Sequence, residues 1–191
     1  MGAVAAFIGT AALAVVLTRA PANNDVSLSS EVSGRVCSTS GLEAWLGAAG
    51  AADVPGVARS ARETSYALEF TNVSSRACSL YGYPEVSAYR DSAVAGGPIG
   101  GAAIRDTSVR PRPVMLEPGA TAHAVLRVTA ATRPAGCAEV TAEELRIRLP
   151  RQDRPSFVPV NIPVCSQRGH VSLRVQAIQA RPGVPGYTMT P

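Results

Sequence analysis

The chain contains no lysine: all 18 basic residues among its 191 are arginine. Chemistry that needs a lysine amine is therefore excluded, including a Schiff base, a Ser-Lys dyad and a phosphate-loop lysine. Histidine is almost as scarce, with only His123 and His170. Both are expected as solvated side chains, His123 on the wet face of a strand and His170 in a turn after Gly169, rather than as imidazole bases. A Gly-x-Ser-x-Gly elbow is missing, and Ser74, Ser75 and Ser156 fall in turns, where serine serves backbone hydrogen bonding. The glycines at 96, 97, 100 and 101 do not follow the dinucleotide-binding spacing and precede no helix. The formal charge of +4 is spread along the chain and lacks the clustered basic stripe with interleaved aromatics of a nucleic-acid binder. Nucleic acid is not expected as a partner. No Cys-x-x-Cys pair occurs, which argues against a zinc ribbon or a thioredoxin-like site, and no metal or cofactor is expected.

One long apolar run is present. Ala3 to Leu17 is apolar apart from Gly9 and Thr10, and Arg19 closes it. It falls short of the roughly 20 residues of a comfortable transmembrane helix. Ala20-Pro21-Ala22 offers a small-residue cleavage pattern, but no positive charge precedes the run, which points to a start further upstream. Residues 1–22 thus read either as a secretory signal peptide or as the end of a membrane anchor. Either reading puts Cys37 onward outside the membrane, with residues 23–36 as a linker. No cysteine directly succeeds the run, so a lipid anchor is not supported.

From Cys37 onward the chain reads as short strands separated by turn chemistry. Tyr66, Leu68 and Phe70 share one face of a period-two run and Ala67, Glu69 and Thr71 the other, the pattern of a strand with one face on a core and one in water. Asn72 to Arg76 is a turn. Leu42 to Leu46 alternates, Val86 to Tyr89 continues past a Tyr83-Pro84 corner, and Ile99 to Ile104 and Val114 to Leu116 come next. After the Pro118-Gly119 turn, Ala122, Ala124, Leu126 and Val128 line one face of a further strand. Leu145 to Leu149 and Phe157 to Val164 form a hairpin around Arg151 to Pro155, and Val171 to Ala177 supplies the last strand. Pro159 and Pro163 remove ladder donors from the face opposite Val158, Val160, Ile162 and Val164, which marks an edge strand. The expected fold is all-β, an immunoglobulin-like β-sandwich of about 7–9 short antiparallel strands over residues 37–180, with a flexible tail at 181–191.

Four cysteines, Cys37, Cys78, Cys137 and Cys165, form an even set suited to two structural disulfides. Three connectivities are possible. Folding the hairpin carries Cys165 back toward Cys137, which leaves Cys37 for Cys78. Each bridge is expected to add ~2 to 4 kcal/mol by restricting the unfolded chain.

The stretch from Tyr66 to Pro84, YALEFTNVSSRACSLYGYP, joins a strand ending Phe-Thr-Asn to a cysteine and then to Leu80-Tyr81-Gly82-Tyr83-Pro84. In this it resembles the actinobacterial family known as domain of unknown function 4232. The resemblance extends to Glu85-Val86, to the Leu116-Glu117-Pro118-Gly119 turn and to Cys137 and Cys165 as a second cysteine pair, roughly over Cys37 to Ala180. It also suggests the pairing of Cys37 with Cys78. The connection from Asp91 to Arg112, with Arg105, Arg110 and Arg112, departs from the family's regular pattern. The resemblance implies an exported domain at the surface or in the envelope of an actinobacterium, and it supplies no catalytic residues.

Two groups of side chains remain as candidates. Arg146 and Arg148 lie two apart on one strand, with Arg151 and Arg154 in the adjoining turn and Arg174 expected on the same sheet. Converging, they would offer forked donors to an anionic envelope polymer or to lipid head groups; otherwise they solvate an outer sheet face. Tyr81 and Tyr83 offer another contact, though packing around a disulfide is the expected role. Glu139, Glu143 and Glu144 form the one acidic cluster, with Glu143 and Glu144 on opposite faces. The resulting expectation is a non-catalytic binding or structural module of the cell envelope, whose partner could also be another envelope protein. Two alternatives stand beside it: an envelope hydrolase using Glu139, Glu143 or His123, and the ectodomain of a membrane-anchored sensor.

Overall fold

The computed structural model describes residues 2, 34–47, 63–91, 97–129 and 137–184. The expected signal or anchor segment, apart from Gly2, lies outside the described residues, as do most of the linker and residues 185–191 of the tail. No helix among the described residues is long and apolar enough to cross a membrane.

Among the described residues, eleven strands succeed a short 3-10 turn at Thr39–Gly41: β1 (Leu42–Leu46), β2 (Glu63–Asn72), β3 (Cys78–Leu80), β4 (Glu85–Tyr89), β5 (Ile104–Asp106), β6 (Val114–Leu116), β7 (Thr121–Thr129), β8 (Glu139–Arg148), β9 (Ser156–Cys165), β10 (Leu173–Gln176) and β11 (Gln179–Ala180). Four of them, β3, β5, β6 and β11, are only two or three residues long, and the other seven carry the architecture. One sheet runs β1-β2-β7-β10-β5, with β11 also paired to β7; a second runs β4-β8-β9; and β3 pairs with β6. Buried residues of all three sheets form one core, including Leu68 and Phe70 from β2, Leu126 from β7, Leu145 and Ile147 from β8, Ile162 from β9 and Leu173 from β10. Interdigitated aliphatic side chains of this kind supply the hydrophobic stabilisation of the fold.

The all-β class and both disulfides agree with the sequence reading, Cys37 being joined to Cys78 and Cys137 to Cys165. Three details differ. The ladder of β5 with β10 is parallel, in contrast to the expected all-antiparallel arrangement. The strand expected at Ile99 to Ile104 is displaced: Ile99 makes one bridge to Ala88, and regular pairing begins at Ile104. Val171 and Ala177 flank β10 rather than belonging to it.

The family-like residues have identifiable structural work. Asn72 ends β2 and holds the corner with its whole side chain: its Nδ2 donates to the carbonyls of Arg76 and Leu116 at 2.8 and 2.9 Å, and its Oδ1 accepts from the Ser74 amide and hydroxyl at 3.0 and 2.7 Å. An amide is the one short side chain able to donate twice and accept at once, so aspartate could not do the same. Gly119, at φ +79°, turns the chain back so that its N–H reaches the Asn72 carbonyl at 2.7 Å. A left-handed φ favours glycine because it lacks a Cβ. The expected proline edge is also present, since β9 is the end strand of its sheet and Pro159 and Pro163 face outward while Val158, Ile162 and Val164 are buried.

One expectation about β2 fails. Alternation assigns Ala67, Glu69 and Thr71 to water, yet all three are buried. Period-two alternation distinguishes two faces without saying what covers each. Here the segment after β11, expected to begin a flexible tail at Arg181, crosses that face: the N–H groups of Gly183 and Val184 donate to Glu69 Oε1 at 2.8 and 3.0 Å.

Candidate functional site

The corner between β3 and β4 is built from Tyr81, Gly82, Tyr83 and Pro84. Gly82 adopts φ +100°, and a Cβ there would meet Pro150 at 3.2 Å, so the turn depends on glycine both for its backbone and for its space. Its carbonyl accepts the Ile178 N–H at 2.9 Å, which ties the corner to the segment after β10. Tyr83 is half-buried and donates its hydroxyl to the Val109 carbonyl at 3.0 Å, so the ring is fixed at both ends. Over that ring, 5.6 Å from its centre, lies the guanidinium of Arg105 on β5. A cation at this distance from a tyrosine face is attracted by the ring quadrupole. Tyr81 is 49% exposed, so the expected packing around the Cys37–Cys78 bridge is not its role.

Together with Glu85, Pro111, Arg148 and Pro150, these residues line an open groove of about 320 Å³. That volume is at the lower end of small-molecule sites. Arg148 is paired with Glu85, its Nε donating to Oε2 at 2.9 Å and its Nη2 contacting the same oxygen. Both side chains are well exposed, so the pair orients the guanidinium more than it stabilises the fold. Arg105 makes no ion pair among the described residues and keeps its donors for solvent or ligand. Exposed Arg110 and Arg112 flank Pro111, and exposed Arg151 succeeds Pro150 at a left-handed φ of 64°.

The arginine cluster read from the sequence is divided. Arg146 and Arg148 do share β8, but Arg174 is on β10 in the other sheet, opposite Arg127, and cannot extend their row. Arg146 is half-buried and registers between Ser87 and Phe157. Arg154 is exposed, and its carbonyl accepts the Thr39 hydroxyl at 2.9 Å. Only Arg148 lines the groove. Arg105 and Pro111, which complete it, come from the irregular connection between Asp91 and Arg112; alternation and spacing carry no signal for their approach to the tyrosine corner.

The residues of the hydrolase alternative lie apart in the architecture. Glu139 and Glu143 are exposed on β8, while Glu144 is buried beside a bulge between Ala142 and Glu144. His123 is on β7 in the other sheet and, contrary to the wet-face expectation, is largely covered. Its Nδ1 is 2.8 Å from the Arg181 carbonyl, and Gly183 lies against its ring, where a Cβ would come within 2.7 Å. Burial lowers its pKa below the ordinary histidine value, opposed by the carbonyl contact. Glu69, directly across the ladder from His123, is fully buried, and desolvation raises its pKa to about 6 against the lowering effect of the two tail amides.

A second hollow of about 330 Å³ adjoins the Cys37–Cys78 bridge, lined by Arg35, Val36, Ser38, Gly41, Ser74, Ser75, Arg76 and Cys78. Its serines are partly engaged internally, Ser74 with Asn72 and Arg76 and Ser38 with Ser40, while Arg35 and Arg76 are exposed; no exposed aromatic ring lines it.

Fold and groove together define a class: a disulfide-stapled all-β domain bearing an aromatic and arginine-lined recess at a glycine corner. Two structural disulfides suit an oxidising compartment. The family model described as Domain of unknown function (DUF4232) matches residues 37–179, and the chain belongs to that family. No curated protein and no solved structure matches it significantly.

Proposed function

We propose that the chain is an extracytoplasmic, non-catalytic binding module of the cell envelope whose contact site is the tyrosine corner. The observation that carries this reading is the recess itself, where exposed Tyr81, a guanidinium over Tyr83 and the Arg148–Glu85 pair line one groove. Tyr83 is held by the backbone and Arg148 by Glu85, while Arg105 keeps its donors free, an arrangement suited to recognition more than to proton transfer. The two disulfides favour export, and the surplus of arginine at the rim favours an anionic partner.

The test is retention of the full-length oxidised chain on isolated envelope fractions at low and high salt. The expected outcome is retention that weakens with ionic strength, as exposed charge contacts do, and that the double substitution Tyr81→Ala with Arg105→Gln abolishes. Retention indifferent to that double substitution would place the contact elsewhere on the domain. Absence of retention under every condition would overturn the reading.

A further inference from the structure

We infer that the ligand of the tyrosine corner is an acidic polysaccharide, one sugar ring lying on Tyr81 and its acid group held by Arg105. The inference rests on the binding-module reading and names its substrate class. Three features of the groove select this chemistry over other anions.

The first is the exposed aromatic face. Among the residues lining the groove, Tyr81 alone is a large, well-exposed hydrophobic side chain. A lone ring is too small a patch to enter a lipid bilayer, but it matches one face of a sugar ring. The C–H groups on that face carry partial positive charge and meet the electron-rich face of an aromatic ring. The second is the charge pattern. The formally charged lining residues are Arg105, Arg148 and Glu85, and the latter two neutralise one another. One unpaired cation therefore remains, beside a carboxylate whose other oxygen, Oε1, is left to accept from a hydroxyl. An anion without hydroxyls would gain nothing from the free oxygen of Glu85, whereas a sugar acid uses both groups.

The third feature is preorganisation. Tyr83 is fixed by its bond to the Val109 carbonyl and Arg105 is seated on its ring, so the guanidinium is positioned before any ligand arrives. Ordering a free arginine on binding would offset part of the affinity, and here much of that ordering is already done. The groove is also open rather than enclosed, and Pro111 and Pro150 give it rigid walls, which lets a chain continue beyond the sugar it holds. Arg110, Arg112 and Arg151, adjoining those prolines, would meet the acid groups of neighbouring sugars.

The experiment is calorimetric titration of the full-length oxidised chain with four probes: an oligogalacturonate, a neutral glucan oligomer of similar length, inorganic polyphosphate, and vesicles containing an anionic phospholipid. Expected is binding of the oligogalacturonate at least about tenfold tighter than the neutral oligomer, reduced about tenfold by Tyr81→Ala and by Arg105→Gln individually. Both side chains are exposed, so their loss leaves the fold in place, which a circular dichroism melt of each variant verifies. Polyphosphate bound as tightly as the oligogalacturonate, with Tyr81→Ala unchanged, would reduce the site to a cationic surface and overturn the saccharide assignment. Binding to vesicles alone would overturn it in favour of a lipid surface. Failure with all four probes, accompanied by groove-dependent retention on envelope fractions, would overturn the acidic-polysaccharide assignment while leaving the binding-module reading intact; failure of both would remove the two together.

Discussion

The tyrosine corner and the Glu69–His123 face use similar ingredients to opposite ends. At the corner, charged side chains lie in the open: Arg148 and Glu85 pair in solvent, and Arg105 rests on a ring with donors to spare. Under the tail, Glu69 is 0% exposed, and its partners are two backbone amides from residues more than a hundred positions away. Burying a carboxylate is costly unless hydrogen bonds compensate, and here the chain itself supplies them to Oε1 while Oε2 is buried without a partner. The buried group is committed to architecture, whereas the open ones are available to a partner. Substitutions under the tail should therefore alter stability without touching the ligand site, and substitutions in the corner should do the reverse.

The largest expected effect erases the distinction. Replacing Cys37 and Cys78 by serine removes the bridge that starts β3, a strand that ends directly before Tyr81, and should lower stability by about 2 to 4 kcal/mol. Because that strand leads into the corner, binding should fall with stability; urea titration and ligand titration on one preparation check both. Next comes Glu69→Ala, which strips the Gly183 and Val184 amides of their acceptor and leaves a cavity. A loss of about 2 to 4 kcal/mol in urea unfolding is expected, with affinity unchanged, while Glu69→Gln, which keeps an acceptor and the volume, stays within about 1 kcal/mol.

The pH dependence of the melting temperature sharpens the same contrast. Glu69 has its pKa raised by burial to about 6, so the folded state takes up a proton that the unfolded chain, near the ordinary 4.5, does not. Its contribution is fully present below 4.5 and is lost as pH rises through about 6, a span worth about 2 kcal/mol. His123 runs the other way: burial lowers its pKa below 6.5, so its contribution is present above 6.5 and is lost as pH falls through the lowered value. The two trends oppose one another in the wild type. Glu69→Gln should unmask a loss of stability on acidification and His123→Asn a gain, measured by thermal melts from about pH 4 to about pH 8. Parallel profiles in the two variants would contradict the opposed titrations. The smallest effect is Arg105→Gln, which should change stability by less than about 0.5 kcal/mol, as surface substitutions usually do, while it weakens ligand binding.

Much of this fold is legible in residue order because local pattern reports local structure. Tyr66 to Thr71 reads as a strand from alternation, Pro159 and Pro163 place β9 at an edge, and the cysteine pairs agree with a hairpin that returns Cys165 to Cys137. Glu69 escapes such a reading for a physical reason: its neighbours Ala67 and Thr71 are small or polar, as on a wet face, and the segment that covers Ala67 and Glu69 arrives from position 183. Arg174 parts from Arg146 because alternation identifies a side of a strand, not the sheet it joins. The tyrosine motif is visible in the sequence, but Arg105 reaches it through the parallel pairing of β5 with β10, which nothing in either segment announces.

Among the described residues, β9 leaves one side of its sheet without a neighbour, and its prolines lie on that strand. An open edge is the ordinary template on which identical chains zip together, and a position lacking an N–H cannot pass the ladder on. Copies crowded side by side would thus meet at this border without knitting into a continuous fabric. Each domain keeps its own outline however dense the crowd, and its groove stays free to be occupied one molecule at a time.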